Sequence, residues 1–223
     1  RKKEFLTNMI PYSKQSISKK DTLAVLKVLR SNFLTQGPTV KKFEEKICKF
    51  TKAKFAVACN NGTSALHLAC LALNLQKGDI VWTVPNTFVA SANCAIYCGA
   101  KVDFVDIDPV TSNLSVELLK NKLCSAKRSD SLPKVVIPVH FSGEPCDMEQ
   151  IKELSQEYGF KIIEDASHAI GGEYRGSPIG ACKYSDITVF SFHPVKIITS
   201  GEGGAALTSS PQLDQRLKLL RSH

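Results

Sequence analysis

Several features that often reveal a protein's class are missing from this sequence. It has no apolar run long enough to cross a membrane and no stretch patterned like a signal peptide. Its eight cysteines include no Cys-x-x-Cys pair, and no histidines stand at metal-ligand spacing, so neither a zinc site nor a disulfide framework is indicated. These absences favour free thiols in a reducing compartment, and the cytoplasm is the expected location.

Two nucleotide-binding signatures are also absent. The turn after the first predicted strand is followed by no Gly-Lys-Ser/Thr, and it lacks the Gly-x-Gly-x-x-Gly pattern of nicotinamide-dependent reductases. The formal charge of +8 is spread over helix surfaces, and no platform of alternating aromatic and basic residues accompanies it, so nucleic-acid binding is not favoured. A basic surface is compatible with attraction of an anionic nucleotide-sugar.

The 223 residues, 43% of them hydrophobic, are enough to bury a large core, and strand and helix patterns alternate along them. That alternation predicts an α/β fold, a mostly parallel sheet with helices on both faces. We predict strands at residues 55–59, 80–84, 102–105, 135–139, 161–164, 187–192 and 205–208. We predict helices at residues 21–30, with Ser18 as N-cap, and at 39–52, 63–75, 88–98, 116–125, 148–158 and from about 213. No repeat, low-complexity tract or linker divides the chain, so one domain is expected.

Lys196 lies in a turn between the last two predicted strands. Pro194 ends the first of these strands, and the glycines that follow the lysine allow backbone to approach a bulky ligand closely. A lysine has an unperturbed pKa of about 10.4 and becomes an effective nucleophile near neutrality only when it is desolvated or close to another cation. A solvated, idle lysine is the alternative that this segment alone leaves open.

Other polar groups follow predicted strands in the same way, and ligands of open α/β sheets bind at the carboxyl ends of the strands. Asp165 ends the fifth strand, and His168 comes three residues later; an ordinary cap and a satisfied core histidine are the alternatives. His140 follows the fourth strand, at the expected edge of the site, and no partner in the sequence supports a role for it. His193 is interpreted as structural.

The turn at residues 60–65 opens the third predicted helix. Gly62 permits close approach of the backbone, and the N–H groups of Thr63 and Ser64 at a helix N-terminus suit a phosphate, although a plain N-cap explains the turn equally well. Ser191 is a second candidate phosphate donor or a simple strand serine. Phe88 is either a ring that stacks on a flat heterocycle or a core residue.

Six segments, in this order, resemble the DegT/DnrJ/EryC1/StrS family of sugar aminotransferases, which use pyridoxal phosphate. They are Leu34-Thr-Gln-Gly-Pro38, Asn61-Gly-Thr-Ser-Ala-Leu-His-Leu-Ala69, Pro85-Asn-Thr-Phe-Val-Ala-Ser-Ala-Asn93, Val139-His-Phe-Ser-Gly-Glu-Pro-Cys-Asp-Met148, Glu164-Asp-Ala-Ser-His-Ala169 and Ser191-Phe-His-Pro-Val-Lys196. The resemblance runs from about residue 10 to the end. It implies the large domain of the fold type I enzymes of pyridoxal phosphate.

The resemblance also implies roles for individual residues. Lys196 would be the Schiff-base lysine, Asp165 would meet the pyridine nitrogen, and His168 would lie near the phenolic oxygen. Phe88 would stack on the ring, and Gly62, Thr63 and Ser191 would lie near the phosphate. The positions that would touch a nucleotide-sugar are Tyr12, Asn32, Phe33, Leu34 and Thr35, together with Gly62 and Ser191. In relatives that dehydrate sugars a histidine replaces the lysine, so Lys196 favours transamination.

Within the family the chain is most similar to the members of pseudaminic acid biosynthesis. These members aminate C4 of a UDP-linked 4-keto-6-deoxy sugar with L-glutamate as amino donor, and family members are usually homodimers. Another nucleotide-4-keto-sugar aminotransferase, or a non-catalytic dimerising or binding domain, remains the alternative. Because family members continue past Arg221 into a smaller C-terminal domain, we expect residues 1–223 to be a fragment comprising the cofactor domain with an N-terminal segment.

Overall fold

The structure is a computed structural model, and it describes residues 10–222. Within these residues the alternating pattern of the sequence forms seven α-helices and nine β-strands. The helices are α1 (Lys19–Leu29), α2 (Pro38–Thr51), α3 (Gly62–Ala72), α4 (Ala90–Tyr97), α5 (Val116–Arg128), α6 (Met148–Tyr158) and α7 (Pro211–Arg221). The strands are β1 (Phe55–Cys59), β2 (Ile80–Thr83), β3 (Lys101–Phe104), β4 (Val135–Ile137), β5 (Lys161–Asp165), β6 (Glu173–Tyr174), β7 (Ser177–Pro178), β8 (Ile187–Ser191) and β9 (Gly204–Thr208). A 3-10 turn, Phe141–Gly143, follows β4.

Seven of the strands form one sheet in the order β1-β9-β8-β5-β4-β2-β3. The pairs from β8 through β5, β4 and β2 to β3 are all parallel, as crossover helices between consecutive strands require. β9 lies between β1 and β8 and pairs with both in the antiparallel sense. Six strands therefore run in one direction, and β9 alone runs against them.

Helices cover both faces of this sheet because successive strand side chains point to opposite sides. In β8, Val189 packs into the apolar cluster beneath α3, α4 and α7, whereas Phe190 packs into the cluster beneath α2 on the other face. A third cluster joins α5 and α6 to β2, β4 and β5. Runs such as the fully buried 135–137 segment are apolar on both sides, as expected for strands covered on both faces.

Helix α3 is the central element for the site. Asn61 caps it by accepting the N–H of Ser64 at 2.8 Å, and small residues such as Ala65 and Ala69 let it lie close to the sheet. Gly204 of β9 lies against the same turn. A Cβ added to Gly204 would lie only 2.2 Å from the Asn61 carbonyl oxygen. The absence of a side chain at Gly204 therefore permits the start of α3 to rest on the end of β9.

The predicted fold class is confirmed, and the differences lie at element ends and in pairing. β4 ends at Ile137 rather than at residue 139, because Pro138 has no N–H to continue the ladder. Helix α4 begins at Ala90 rather than at residue 88. The short antiparallel hairpin of β6 and β7 was not predicted, since two-residue strands carry no periodic signal. The antiparallel orientation of β9 was not predicted either, because the hydrophobic period of a strand does not indicate which strands it pairs with.

Two sequence expectations concern single features of the chain. Ser18 caps α1 with a reciprocal capping box to Asp21, as its position predicts, although α1 buries none of its side chains. All eight cysteines are free thiols. Of the helices described between residues 10 and 222, none has the length and apolar character needed to span a membrane.

Candidate functional site

A cavity of about 540 Å³ opens at the carboxyl ends of β5 and β8, beside the start of α3. This is the edge at which a parallel sheet places the groups that follow its strands. Its walls include eight of the residues predicted from the sequence: Tyr12, Gly62, Thr63, Phe88, Asp165, His168, Ser191 and Lys196. Residues that are far apart in the chain thus share one concave site.

Asp165 is the most firmly held of these groups. It ends β5, is 4% exposed, and receives hydrogen bonds on both carboxylate oxygens. The Ser91 hydroxyl donates to Oδ2 at 2.6 Å, and Ser167 donates to Oδ1 from its hydroxyl at 2.7 Å and its N–H at 3.1 Å. Hydrogen bonds to both oxygens fix the plane of the carboxylate, so Asp165 presents an oriented acceptor group to the cavity.

Lys196 lies in the turn after β8, where its N–H donates to the carbonyl of His193 at 2.9 Å. The side chain is half-buried, and burial lowers the pKa of its ammonium, while the charge of Asp165 opposes that change. Desolvation is one of the two ways in which a lysine becomes a nucleophile near neutrality. The environment of Lys196 therefore favours the reactive amine more than a solvated loop would.

His168, three residues after Asp165, borders the same cavity. Burial lowers the pKa of its imidazole, the positive charge of Lys196 lowers it further, and Asp165 acts in the opposite direction. Lys196, His168 and Asp165 are therefore close enough to influence one another's charge. A neutral imidazole at this position donates one hydrogen bond from one ring nitrogen and accepts one at the other.

The start of α3 forms a second polar wall. Gly62 packs against Ser191, the last residue of β8. A Cβ added to Gly62 would lie 2.8 Å from the Ser191 Cβ and 3.2 Å from the Ser191 Oγ. The Asn61 side chain already accepts the N–H of Ser64, so that N–H is not the free donor that the sequence suggested. Gly62 and Thr63 occupy the first helical turn, where N–H groups have no intrahelical acceptor, and so remain suited to an anion.

The apolar wall and the entrance are formed by exposed rings. Phe88 is 71% exposed and Tyr12 is 93% exposed, although both border the cavity. The N-terminal segment is tied to the lysine turn by the Ser13 hydroxyl, which donates to the Pro194 carbonyl at 3.0 Å. The residues 32–35, expected from the resemblance to touch a nucleotide-sugar, are exposed and do not border the cavity.

Several cavity residues had not been singled out from the sequence. Thr87 borders the cavity and lies 2.8 Å, Oγ1 to Oγ, from Ser91. His193, interpreted as structural, also borders the cavity, with Nε2 3.9 Å from a carboxylate oxygen of Glu202. No sequence spacing links Ser91 to Asp165, because the pair is 74 residues apart.

His140 is placed differently from its expected position at the edge of the site. It is fully buried, and its Nε2 lies 2.8 Å from Glu164 Oε1. Its Nδ1 accepts the N–H of Cys146 at 3.1 Å, so the proton shared with Glu164 belongs to Nε2. His140 therefore belongs to a buried network behind Asp165 rather than to the cavity.

The residues of the cavity fit pyridoxal phosphate in both size and chemistry. A volume of about 540 Å³ falls within the range of small-molecule sites. The donor set comprises a half-buried amine at Lys196, an oriented carboxylate at Asp165, a helix N-terminus at Gly62 and Thr63, and an exposed ring at Phe88. These are the groups that a phosphorylated pyridine aldehyde would require.

Comparison with known proteins agrees with this chemistry. Residues 15–223 match the model of the DegT/DnrJ/EryC1/StrS aminotransferase family. The chain is 43% identical over 215 residues to the UDP-4-amino-4,6-dideoxy-N-acetyl-beta-L-altrosamine transaminase of Campylobacter jejuni, covering 96% of this chain and 55% of that protein. It is 38% identical over 216 residues to an uncharacterized protein of Methanocaldococcus jannaschii, covering 97% and 54%.

Solved structures show the same likeness. The Helicobacter pylori aminotransferase PseC, involved in the biosynthesis of pseudoaminic acid, superposes with a TM-score of 0.86 at 34% identity, covering 96% of this chain and 56% of that one. The PLP-form of a putative sugar aminotransferase of Streptococcus pneumoniae superposes with a TM-score of 0.82 at 28% identity, covering 95% and 57%. The chain spans about half the length of the curated relatives it matches.

Proposed function

The chain belongs to the DegT/DnrJ/EryC1/StrS aminotransferase family, and we propose that it forms the cofactor-binding part of a pyridoxal-phosphate-dependent sugar aminotransferase. Its substrate in this proposal is a UDP-linked 4-keto-6-deoxy sugar, which is converted to the 4-amino sugar with L-glutamate as amino donor in pseudaminic acid biosynthesis. The observation that carries the proposal is that Lys196, Asp165 and the start of α3 border a single cavity. The similarity to the Campylobacter transaminase supports the choice of substrate class.

When bound, pyridoxal phosphate supplies an electron-withdrawing ring that stabilises negative charge on the substrate carbon. Asp165, with its plane fixed by Ser91 and Ser167, would hold the ring nitrogen. The N–H groups at the first turn of α3 and the Ser191 hydroxyl would hold the phosphate. Phe88, which borders the cavity, would offer its ring as a stacking partner for the cofactor.

Lys196 performs the proton chemistry in this proposal. Its half-buried amine would hold the aldehyde of the cofactor and, when free, would accept or return a proton at Nζ. The lowered pKa of its ammonium, which burial causes, makes the proton easier to remove than from a solvated lysine. His168 and Tyr12 border the same cavity, so His168 would be available to hydrogen-bond the cofactor and Tyr12 to contact the sugar.

The first experiment tests the cofactor and the lysine together. The protein is mixed with pyridoxal phosphate, its absorbance spectrum is recorded before and after borohydride, and the labelled peptide is mapped. We expect a visible band that borohydride abolishes, with the label on Lys196. The variant Lys196→Arg should lose the label, and Lys54→Arg, at an exposed lysine before β1, should retain it. A label elsewhere, or none in the wild type, would contradict the proposal.

A second experiment tests the substrate. The protein, with any further domain it carries, is incubated with L-glutamate and a panel of UDP- and dTDP-linked 4-keto sugars, and 2-oxoglutarate is measured. Turnover only with a UDP-linked 4-keto-6-deoxy sugar is the expected result. Turnover with a dTDP sugar alone would assign the chain to another nucleotide-sugar pathway, and cofactor binding without turnover on any sugar would favour a non-catalytic role.

We also propose a homodimer with a cytoplasmic location. Phe88 and Val195 border the cavity and are exposed, and so are their chain neighbours Val89, Ile197 and Ile198. In this proposal these side chains form one apolar patch, whose burial favours association. Sedimentation equilibrium should give twice the mass of one chain. A substitution such as Ile197→Glu, which places a charge in that patch, should shift the equilibrium toward the monomer; a monomeric wild type would refute the proposal.

A further inference from the structure

Behind the cavity, three side chains form a continuous chain of hydrogen bonds that ends on Asp165. Ser91 Oγ lies 2.6 Å from Asp165 Oδ2, and Thr87 Oγ1 lies 2.8 Å from the same Ser91 oxygen. Ser91 is fully buried in the first turn of α4, whereas Thr87 is half-buried and borders the cavity. These hydrogen bonds thus link Thr87 at the cavity wall to the Asp165 carboxylate through the buried Ser91 hydroxyl.

The direction of the hydrogen bonds in this chain follows from the number of protons available. A carboxylate that already accepts two bonds from Ser167 offers only lone pairs, so Ser91 must donate to it. A serine hydroxyl has one proton, and once that proton is directed at Asp165 the oxygen can only accept. Thr87 must therefore donate to Ser91. Toward the cavity, the Thr87 oxygen then presents lone pairs and no proton.

The geometry points to Ser91 and Thr87 as positioning residues for Asp165 and to Thr87 as an acceptor-only group in the cavity wall. This inference rests on the proposed function, because it concerns the carboxylate that would face the cofactor. Ser91 holds the oxygen that Ser167 does not hold, so the two serines together prevent rotation of the carboxylate about its χ2 bond. Any ligand group that meets Thr87 must be a donor, such as a sugar hydroxyl or an ammonium, and not a phosphate oxygen.

An anchoring role is the alternative to a positioning role. The same hydrogen bonds join α4 to the end of β5, so their loss would lower stability whether or not they orient Asp165. The two roles differ in what happens to a bound ring. Misorientation of the carboxylate weakens cofactor binding and changes the visible circular dichroism of the bound cofactor, whereas loss of an anchor changes only the free energy of unfolding.

The test uses pyridoxal phosphate as the probe and compares four variants. Ser91→Ala removes the donor to Asp165, Thr87→Val removes the donor to Ser91 at almost constant volume, and Thr87→Ser retains that donor. The matched control is Ser155→Ala. Ser155 is also a buried serine with one short hydrogen bond, 2.8 Å to the Phe160 carbonyl, and it does not contact Asp165.

We expect Ser91→Ala to bind pyridoxal phosphate about tenfold more weakly and to lose part of its visible circular dichroism. Thr87→Val should show a smaller change in the same direction, and Thr87→Ser should bind more tightly than Thr87→Val. Ser155→Ala should lose stability only. If Ser91→Ala does not fold, Thr87→Val and Thr87→Ser decide the result, because Thr87 is only half-buried.

Two outcomes overturn the inference, and they are distinguishable. In the first, the wild type binds the cofactor on Lys196, but Ser91→Ala and Thr87→Val behave like Ser155→Ala. The Thr87–Ser91–Asp165 hydrogen bonds would then only anchor α4 to β5. A wild type that forms no borohydride-trapped adduct refutes the proposed function, and the inference with it.

Discussion

Glu164 and Asp165 are consecutive buried carboxylates of β5 that serve two different sides of the sheet. Asp165 borders the cavity, whereas Glu164 accepts hydrogen bonds from His140 Nε2 at 2.8 Å and from the hydroxyls of Ser185 and Thr188 at 2.7 Å. Burial disfavours the charge of Glu164, but these donors outweigh that effect and lower the pKa of its carboxyl group. The backbone that carries Asp165 is thereby held by a second carboxylate behind it.

Removal of His140 tests that buried network. His140→Phe leaves Glu164 without one donor and the Cys146 N–H without its acceptor, so we expect the free energy of unfolding to fall by about 3 kcal/mol. The measurement is urea denaturation followed by circular dichroism. Arg175→Met, which breaks the exposed pair with Glu149, serves as control and should cost less than about 1 kcal/mol. Equal losses in the two variants would show that the buried pair contributes no more than a surface pair.

Because Gly62 and Ser191 are in contact, a side chain added at Gly62 should clash with Ser191, and a smaller residue at position 191 should relieve the clash. In Gly62→Ala the new Cβ would lie 2.8 Å from the Ser191 Cβ, so α3 or β8 must shift, and we expect a loss of about 1–3 kcal/mol and weaker binding of pyridoxal phosphate. The double variant Gly62→Ala with Ser191→Gly removes the obstructing atoms and should recover stability relative to Gly62→Ala. Additive losses in this double-mutant cycle would contradict the contact.

The order of elements was accessible from the sequence because each strand and helix has a local hydrophobic period. The groups that follow strands, such as Asp165 and Lys196, were accessible for the same reason, since the carboxyl ends of parallel strands meet at one edge. Ser91 and the Glu164 network were not, because their bonds join residues from 21 to 74 positions apart whose side chains have no distinctive spacing. Such contacts become visible only when the pairing of strands is known.

The lowered pKa of His168 predicts a pH dependence of stability. Burial and the nearby Lys196 favour the neutral imidazole in the folded protein, whereas the unfolded chain titrates near the usual value of 6.5. Because the unfolded state then binds more protons, the free energy of unfolding rises with pH toward about 6.5 and falls as the solution is acidified below it.

Urea denaturation of the wild type and His168→Gln between about pH 5 and pH 8 measures this contribution. The difference between the two proteins should change most below about pH 6.5 and should be constant above it. A difference that stays the same across the whole range would show that His168 does not contribute to the pH dependence.

The lowered pKa of Lys196 predicts unusual reactivity of its amine. Competitive labelling with acetic anhydride, read by mass spectrometry, should place the midpoint for the Lys196 peptide below the value of about 10.4 that is typical of free lysine side chains. In urea, where burial is lost, the midpoint of the same peptide should return to that value. An identical midpoint in folded and unfolded protein would contradict desolvation as the cause. Asp165→Asn, which removes the opposing charge, should lower the folded midpoint further.

The single reversed strand of the sheet constrains the order in which the molecule can assemble. Within residues 10–222, β1 has β9 as its one sheet partner, with Phe55 paired to Thr208, so this edge strand cannot pair until Thr208 has left the ribosome. Pairing between residues so distant in sequence carries a large loop-closure entropy and slows folding. The start of α3 rests on Gly204 of that same strand, and the turn at Asn61 and Gly62 is therefore expected to form late, after the parallel half of the sheet.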